Sequence, residues 1–259
     1  MAAYQFLAVQ TRNRVGWLAY NRPPVNAFNR PMVEEVVAAF EALHGDPEVR
    51  VIVLASVLPK YFSTGADLKV FRSMQPEDFR SWVALCHGLA RKLRASEKPL
   101  LAAIAGTAVG GGLEMTLHCD LRFAAADARL GQPEIAINFI PPIAATQALA
   151  RLIGRPQAIR YLYDGALLPA QTALQIGLVD QLCPPETLRD EVQAYAEGLA
   201  AKPREALAAI RQCVTLGGGM TFEDGLALEA AWAGRLAESA DFTEGIAAFL
   251  DKRPPRWSG

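Results

Sequence analysis

The segment that most constrains this chain is Lys98-Pro99-Leu100-Leu101-Ala102-Ala103-Ile104-Ala105, followed at once by Gly106-Thr107-Ala108-Val109-Gly110-Gly111-Gly112-Leu113-Glu114. Its first part is a short apolar run of the kind a parallel sheet buries on both faces. Its second part is cut by glycines and runs into helix-forming residues, so the stretch from Pro99 to Leu113 is too short and too punctuated to span a bilayer. Three glycines before a helix let the backbone approach a ligand closely, and the free N–H groups at the helix start favour negative charge there. Close packing of helix on strand uses the same glycines, and from the residues alone both readings stand.

The surrounding pattern is mixed α/β. Phe6 to Thr11 and Gly16 to Tyr20 alternate across Arg12-Asn13-Arg14 and predict a hairpin, which Pro23-Pro24 ends. Asn29 with Pro31 starts a helix whose apolar residues Met32, Val33, Val36, Val37, Phe40 and Leu43 recur at helical spacing up to the Gly45-Asp46-Pro47 stop. Val49 to Ala55 is a buried strand, Pro76 to Arg94 a second helix, and Lys98 to Ala105 a second buried strand. The order of two strands and one helix thus repeats about every fifty residues. Beyond Pro185 only helical patterns remain, over 185–201, 203–216, 221–239 and 241–252. This predicts a core over residues 1–195 and a helical region over 196–259.

Composition removes whole classes. Hydrophobic residues make up 51% and charged residues 20%, enough for a sizeable core with apolar surface left for partners. A net charge of −1, without a basic run, argues against nucleic acid and anionic membranes as partners. Cys86, Cys119, Cys183 and Cys213 form neither a CxxC pair nor a disulfide framework and read as reduced thiols. The N-terminal MAAYQFLAVQTRNRVG lacks the features of an export signal, so a cytoplasmic protein is expected. No GxGxxG, GxxxxGK[ST], HExxH or GxSxG occurs, and His44, His87 and His118 are scattered.

Chemistry is left to two loops and two carboxylates. The loop Tyr61-Phe62-Ser63-Thr64-Gly65-Ala66-Asp67-Leu68-Lys69 follows a buried strand, as the glycine turn does, and can supply a second N–H donor for an enolate-like oxygen. Asp67 reads as a helix cap. Lys69 is a phosphate contact or a solvated lysine. Glu114, four residues after Gly110, and Glu134, in Gly131-Gln132-Pro133-Glu134, each follow a Gly or Pro turn at a helix start and can share one mouth. The dipole at a helix start favours an ionised Glu114 as base, whereas a Glu134 placed beside it keeps its proton.

The segments NRPPVNAF, YFSTGADLK, KPLLAAIAGTAVGGGLEMTLHCDLRFA, GQPEIAI and EGIAAFLDKR, in this order and spacing, resemble the enoyl-CoA hydratase/isomerase, or crotonase, superfamily over nearly the whole chain. The resemblance implies a ββα spiral with a C-terminal helical trimerisation region, assembled as a trimer or a dimer of trimers. It implies that the backbone N–H groups of Ala66 and Gly111 form an oxyanion hole for an acyl-CoA thioester and that Glu114 and Glu134 are the catalytic pair. Thr64, Ala66, Asp67, Leu68 and Lys69 then border the thioester and pantetheine path, with Asn26 near the nucleotide end and Phe249 and Lys252 helping to enclose CoA. No cofactor is implied, because coenzyme A is part of the substrate.

One segment departs from the pattern. Hydratases of the family carry an IPGxGGTQ-like turn where this chain has Ile140-Pro141-Pro142-Ile143-Ala144-Ala145-Thr146-Gln147, so Pro142 offers no N–H and Ile143 adds bulk beside the acyl pocket. The leading expectation is a 2-enoyl-CoA hydratase. A Δ3,Δ2-enoyl-CoA isomerase using Glu134 is the alternative, and an RNA-binding or scaffolding role, which needs a basic surface, comes third.

Overall fold

A computed structural model describes residues 4–258. Residues 1–3, part of the N-terminal stretch read above for an export signal, lie outside the described residues, as does residue 259. The expected hairpin is β1 (Leu7–Arg12) and β2 (Val15–Tyr20), paired antiparallel. Helix α1 (Arg30–Gly45) starts at Asn29, whose side chain accepts the Met32 N–H, and buries Met32, Val33, Val36, Phe40 and Leu43. Strand β3 (Val51–Ser56), β5 (Leu100–Ile104), β7 (Leu121–Ala125) and β10 (Gln181–Cys183) continue the sheet in parallel, giving the order β1-β2-β3-β5-β7-β10. β3 and β5 are buried almost throughout, which is why their sequences are continuous apolar runs instead of alternating ones.

A second sheet runs beside the first. Its strands β4 (Tyr61–Ser63), β6 (Thr107–Val109) and β8 (Arg129–Gly131) each follow a strand of the large sheet, and β9 (Leu167–Pro169) closes it antiparallel. Each is three residues long, too short for a periodicity signal, and the sequence reading missed them. One turn of the chain therefore comprises a large-sheet strand, a small-sheet strand and a helix. Between β4 and β5 stand α2 (Leu68–Phe71) and α3 (Pro76–Arg94), and between β6 and β7 stands α4 (Gly111–Thr116). This is the ββα spiral that the sequence implied.

Helices α5 (Ala145–Leu152), α6 (Arg155–Asp164) and α7 (Ala170–Gln175) lead to β10, after which the chain is helical: α8 (Leu188–Ala200), α9 (Arg204–Gly217), α10 (Phe222–Ala237) and α11 (Ala240–Leu250). The boundary expected at 195/196 falls inside α8. Leu188, Val192, Ala196 and Ala200 of that helix belong to the main core, so the break in packing comes after it. Arg211 of α9 ties the arm back, reaching Asp120 at 2.9 Å and the Leu93 carbonyl at the C-terminal end of α3 at 2.9 Å. Among the described residues, no helix is long and apolar enough to cross a membrane. The four cysteines are free thiols.

The turns stack as regularly as the strands. The Thr107 N–H donates to the Lys60 carbonyl at 3.0 Å, and the Arg129 N–H to the Gly106 carbonyl at 3.1 Å. Gly106 has φ +64°, and a Cβ there would run into the Lys60 carbonyl. Gly106→Ala combines left-handed strain of about 1–2 kcal/mol with overpacking of about 1–3 kcal/mol. Urea denaturation is expected to show a loss of about 2–5 kcal/mol with an unchanged slope.

Candidate active site

The small sheet brings two loops together, and the polar residues before them fix their course. Asn26 is fully buried; its side-chain nitrogen donates to Ser56 Oγ at 2.8 Å and to the Phe62 carbonyl at 3.0 Å, and its Oδ1 accepts the Arg22 N–H at 2.7 Å. The Ser63 hydroxyl donates to the Asn26 carbonyl at 2.7 Å and accepts the Gly65 N–H at 3.0 Å. Phe28 then pairs with Ala66: its N–H donates to the Gly65 carbonyl at 2.6 Å, and its carbonyl accepts the Asp67 N–H at 2.8 Å. Arg22 clamps the far side, 2.9 Å from Asp67 Oδ2. Asp67 caps α2 by accepting the Lys69 N–H. Burial opposes its ionisation, but the hydrogen bond and charge of Arg22 outweigh that and hold the carboxyl below its usual range.

The facing loop is the glycine turn. Gly110 takes φ +52° and donates its N–H to the Gly131 carbonyl at 2.9 Å. The approach is backbone to backbone: a Cβ on Gly65 would lie 3.0 Å from the Gly111 nitrogen, and one on Gly112 would lie 2.6 Å from the Ser63 carbonyl. Neither the Ala66 nor the Gly111 N–H donates to a protein acceptor, and both residues line one cavity of about 270 Å³. Two unspent donors on rigid backbone are what a developing oxyanion needs.

Glu114 and Glu134 line the same cavity. Glu114 is fully buried on α4, where its Oε1 accepts the Ile143 N–H at 2.7 Å and the Ala145 N–H at 3.1 Å, while Oε2 has no partner. Burial pushes this carboxyl up to about 8; the charge of Glu134 adds to the rise, and the two N–H bonds only moderate it. The expectation of an ionised Glu114 is therefore corrected. A helix-start dipole is worth about 0.3–1 kcal/mol, less than one pK unit at about 1.4 kcal/mol, and cannot offset the burial. Glu134 follows a Pro in a 3-10 turn (Pro133–Ile137), and burial raises its carboxyl as well. The buried Gln132 amide, its nitrogen turned to the carboxylate as the network requires, lies 3.1 Å from Glu134 Oε2.

The altered turn forms one wall. Pro142 and Ile143 both face the cavity, and the Ile143 Cδ1 lies 3.2 Å from where a Cβ on Gly111 would stand. Ala144 sits in the left-handed region at φ +70°, a conformation that directs the Ile143 and Ala145 N–H groups onto one carboxylate oxygen. Behind the turn, His118 Nε2 donates to the Ile143 carbonyl at 2.9 Å, and burial pushes the imidazole down to about 4. His118 thus props the site without entering it.

Of the residues expected at the site, Thr64, Ala66, Leu68, Gly111, Glu114 and Glu134 meet in the cavity. Asp67 and Lys69 lie beside it, the former turned to Arg22 and the latter exposed. Asn26 is corrected from a ligand contact to a buried brace, because its side-chain polar atoms are spent on protein partners. Phe249, highly exposed, lines a different cavity on the arm, and Lys252 is exposed just after α11, so neither enters this chain's own site. The sequence reading did not identify Phe28, Phe71, Trp82 or Phe139 as lining, and only their aromatic character beside the motifs marked them. Among the described residues, no group of three His, Cys, Asp or Glu side chains is placed to hold a metal ion.

A family model described as enoyl-CoA hydratase/isomerase matches residues 10–259. A crotonyl-CoA hydratase of Syntrophomonas wolfei is 32% identical, with 97% of each chain covered. An (E)-benzylidenesuccinyl-CoA hydratase of Thauera aromatica is 32% identical over 98% of this chain and 99% of that one. The crystal structure of an enoyl-CoA hydratase from Geobacillus kaustophilus superposes with a TM-score of 0.97 at 32% identity, covering 100% of this chain and 98% of the other.

Glu114 also has a stability signature. Its folded pKa, about 8, lies above the ordinary value of 4.5. Its favourable contribution is complete below about pH 4.5 and is lost as pH rises through about 8. Glu114→Gln keeps an acceptor for both N–H groups and removes the titration. Thermal unfolding from pH 5 to 8.5 is expected to show the variant gaining stability relative to wild type as pH rises; parallel curves would contradict the burial argument.

Proposed function

Because this chain belongs to the enoyl-CoA hydratase/isomerase family, we propose that its cavity adds water across the 2,3 double bond of a 2-enoyl-CoA thioester. The observation that carries the reading is the pair of unspent N–H donors, at Ala66 and Gly111, in one cavity with two carboxyls. The thioester carbonyl oxygen takes both donors. Water forms its bond to C3, the π pair moves toward that oxygen as an enolate, and C2 then accepts a proton as the carbonyl reforms. Charge grows on the oxygen only during the reaction, so the two donors stabilise the transition state more than the ground state.

The carboxyl pair handles the protons: the ionised member takes one from the water and the neutral member supplies one to C2. Burial favours the form with the proton on Glu114, whose unpartnered Oε2 is the atom free to exchange it. Carboxyls that share one cavity and raise each other's cost of ionisation titrate as a unit, so the proton belongs to the pair.

A second reading rests on the altered turn. Pro142 brings no N–H to the cavity wall, which leaves one donor fewer for holding a water. A Δ3,Δ2-isomerase needs only one carboxyl, Glu134, to carry a proton between C4 and C2.

The apolar side chains exposed on the arm, including Val214, Phe222 and Phe249, fit association of copies into a trimer or a dimer of trimers.

Incubation with crotonyl-CoA and longer or aromatic 2-enoyl-CoAs, following loss of the conjugated absorbance, tests the hydratase reading. Glu114→Gln and Glu134→Gln are each expected to lower kcat by about 10²–10⁴ with the fold intact. Absence of hydration with every thioester overturns the reading. Full conversion of a 3-enoyl-CoA by Glu114→Gln favours the isomerase.

A further inference from the structure

Contiguous aromatic rings wall one end of the cavity. Trp82 of α3 is almost completely buried, and Phe71 of α2 meets it edge to face at 5.4 Å and 80°. Phe79 packs on Phe71 at 5.0 Å and 79° and on Phe139 at 5.9 Å. Phe71, Trp82 and Phe139 face the cavity, and Phe79 stands behind them, so four rings from three segments form one continuous array.

Phe139 joins the array because of the backbone. Asn138 ends the 3-10 turn in the left-handed region at φ +54°, and the Phe139 N–H returns to the Glu134 carbonyl at 3.1 Å. The turn that carries Glu134 therefore also sets Phe139. Ile143 also lines the cavity, its Cδ1 beside Gly111. Apart from Glu114 and Glu134, the polar side-chain groups in the lining are the Thr64 hydroxyl and the Trp82 indole N–H, and the lining holds no cationic side chain. A charged tail would find no counter-charge among these rings.

We infer that this end of the pocket is built for an aryl group, and that the substrate is a 2-enoyl thioester with a ring on C3, of the cinnamoyl type. The inference rests on the reading that an acyl-CoA thioester binds here. Size agrees: an apolar cavity of about 150 Å³ suffices for benzene, and about 270 Å³ leaves room for the enoyl carbons beside a ring but not for a long alkyl chain. Geometry favours a ring over an alkyl group of similar area. The edge-to-face array presents ring edges and faces together, and an incoming ring makes offset or T-shaped contacts that an alkyl chain cannot.

The test separates binding from turnover. The saturated analogues 3-phenylpropanoyl-CoA and butanoyl-CoA are titrated calorimetrically into the protein, and cinnamoyl-CoA and crotonyl-CoA are compared as substrates. The aryl analogue is expected to bind at least about tenfold more tightly, and cinnamoyl-CoA to have the higher kcat/KM by a similar factor. Phe139→Ala, with its fold checked by thermal melting, is expected to lower the binding ratio several-fold, and Phe139→Leu to lower it less. Equal or tighter binding of butanoyl-CoA overturns the inference while leaving a hydratase with a short aliphatic substrate. A retained binding ratio without hydration of either thioester supports the aryl pocket and overturns the hydratase reading. Failure of both analogues to bind overturns both.

Discussion

Everything functional in this molecule depends on two backbone segments being allowed to touch. Gly65 and Gly111 approach so closely that a Cβ on Gly65 would lie 3.0 Å from the Gly111 nitrogen, and Gly112 is pressed against Ser63 as tightly. Side chains at these glycines would push the loops apart and separate the Ala66 and Gly111 N–H groups. The small sheet, with its parallel β4, β6 and β8, holds the loops in place, and the large sheet fixes the small one through the stacked turns at Lys60 and Gly106. Buried side chains finish the alignment: Asn26 and Ser63 hold the first loop from inside, and Arg22 clamps Asp67 at its end. The donors are backbone atoms on a rigid scaffold and need little reorganisation when charge appears.

The opposite constraint governs the carboxyls. A fully buried Glu114 would be costly if ionised, and its two N–H partners at Oε1 lower that cost without removing it. Those partners come from the turn over residues 140–147. Pro142 contributes no N–H, Ala144 accepts a left-handed conformation, and His118 supports the Ile143 peptide from behind. The turn therefore shapes both the charge state of Glu114 and one wall of the acyl pocket.

Much of this was legible in the residues. Buried strands betrayed themselves as apolar runs, α1 through its cap and periodicity, and the donor loops through Gly65 and the Gly110–Gly112 triplet. The small sheet was illegible because three-residue strands carry no period. Glu114 misled because a helix start is visible in sequence and burial is not. Asn26, in the motif NRPPVNAF, looked like a contact but is a brace, since only the fold shows where its amide points. Phe139 was hidden because its place depends on the left-handed Asn138, which no local propensity requires.

The central claim is that the Ala66 and Gly111 N–H groups polarise a thioester carbonyl. Isotope-edited infrared difference spectroscopy on an enoyl-CoA labelled with ¹³C at the carbonyl, bound to the Glu114→Gln, Glu134→Gln double variant so that no turnover intervenes, tests it most directly. Two hydrogen bonds from preorganised donors predict a carbonyl stretch well below that of the same thioester free in water. A bound thioester whose stretch matches the free one would contradict the account.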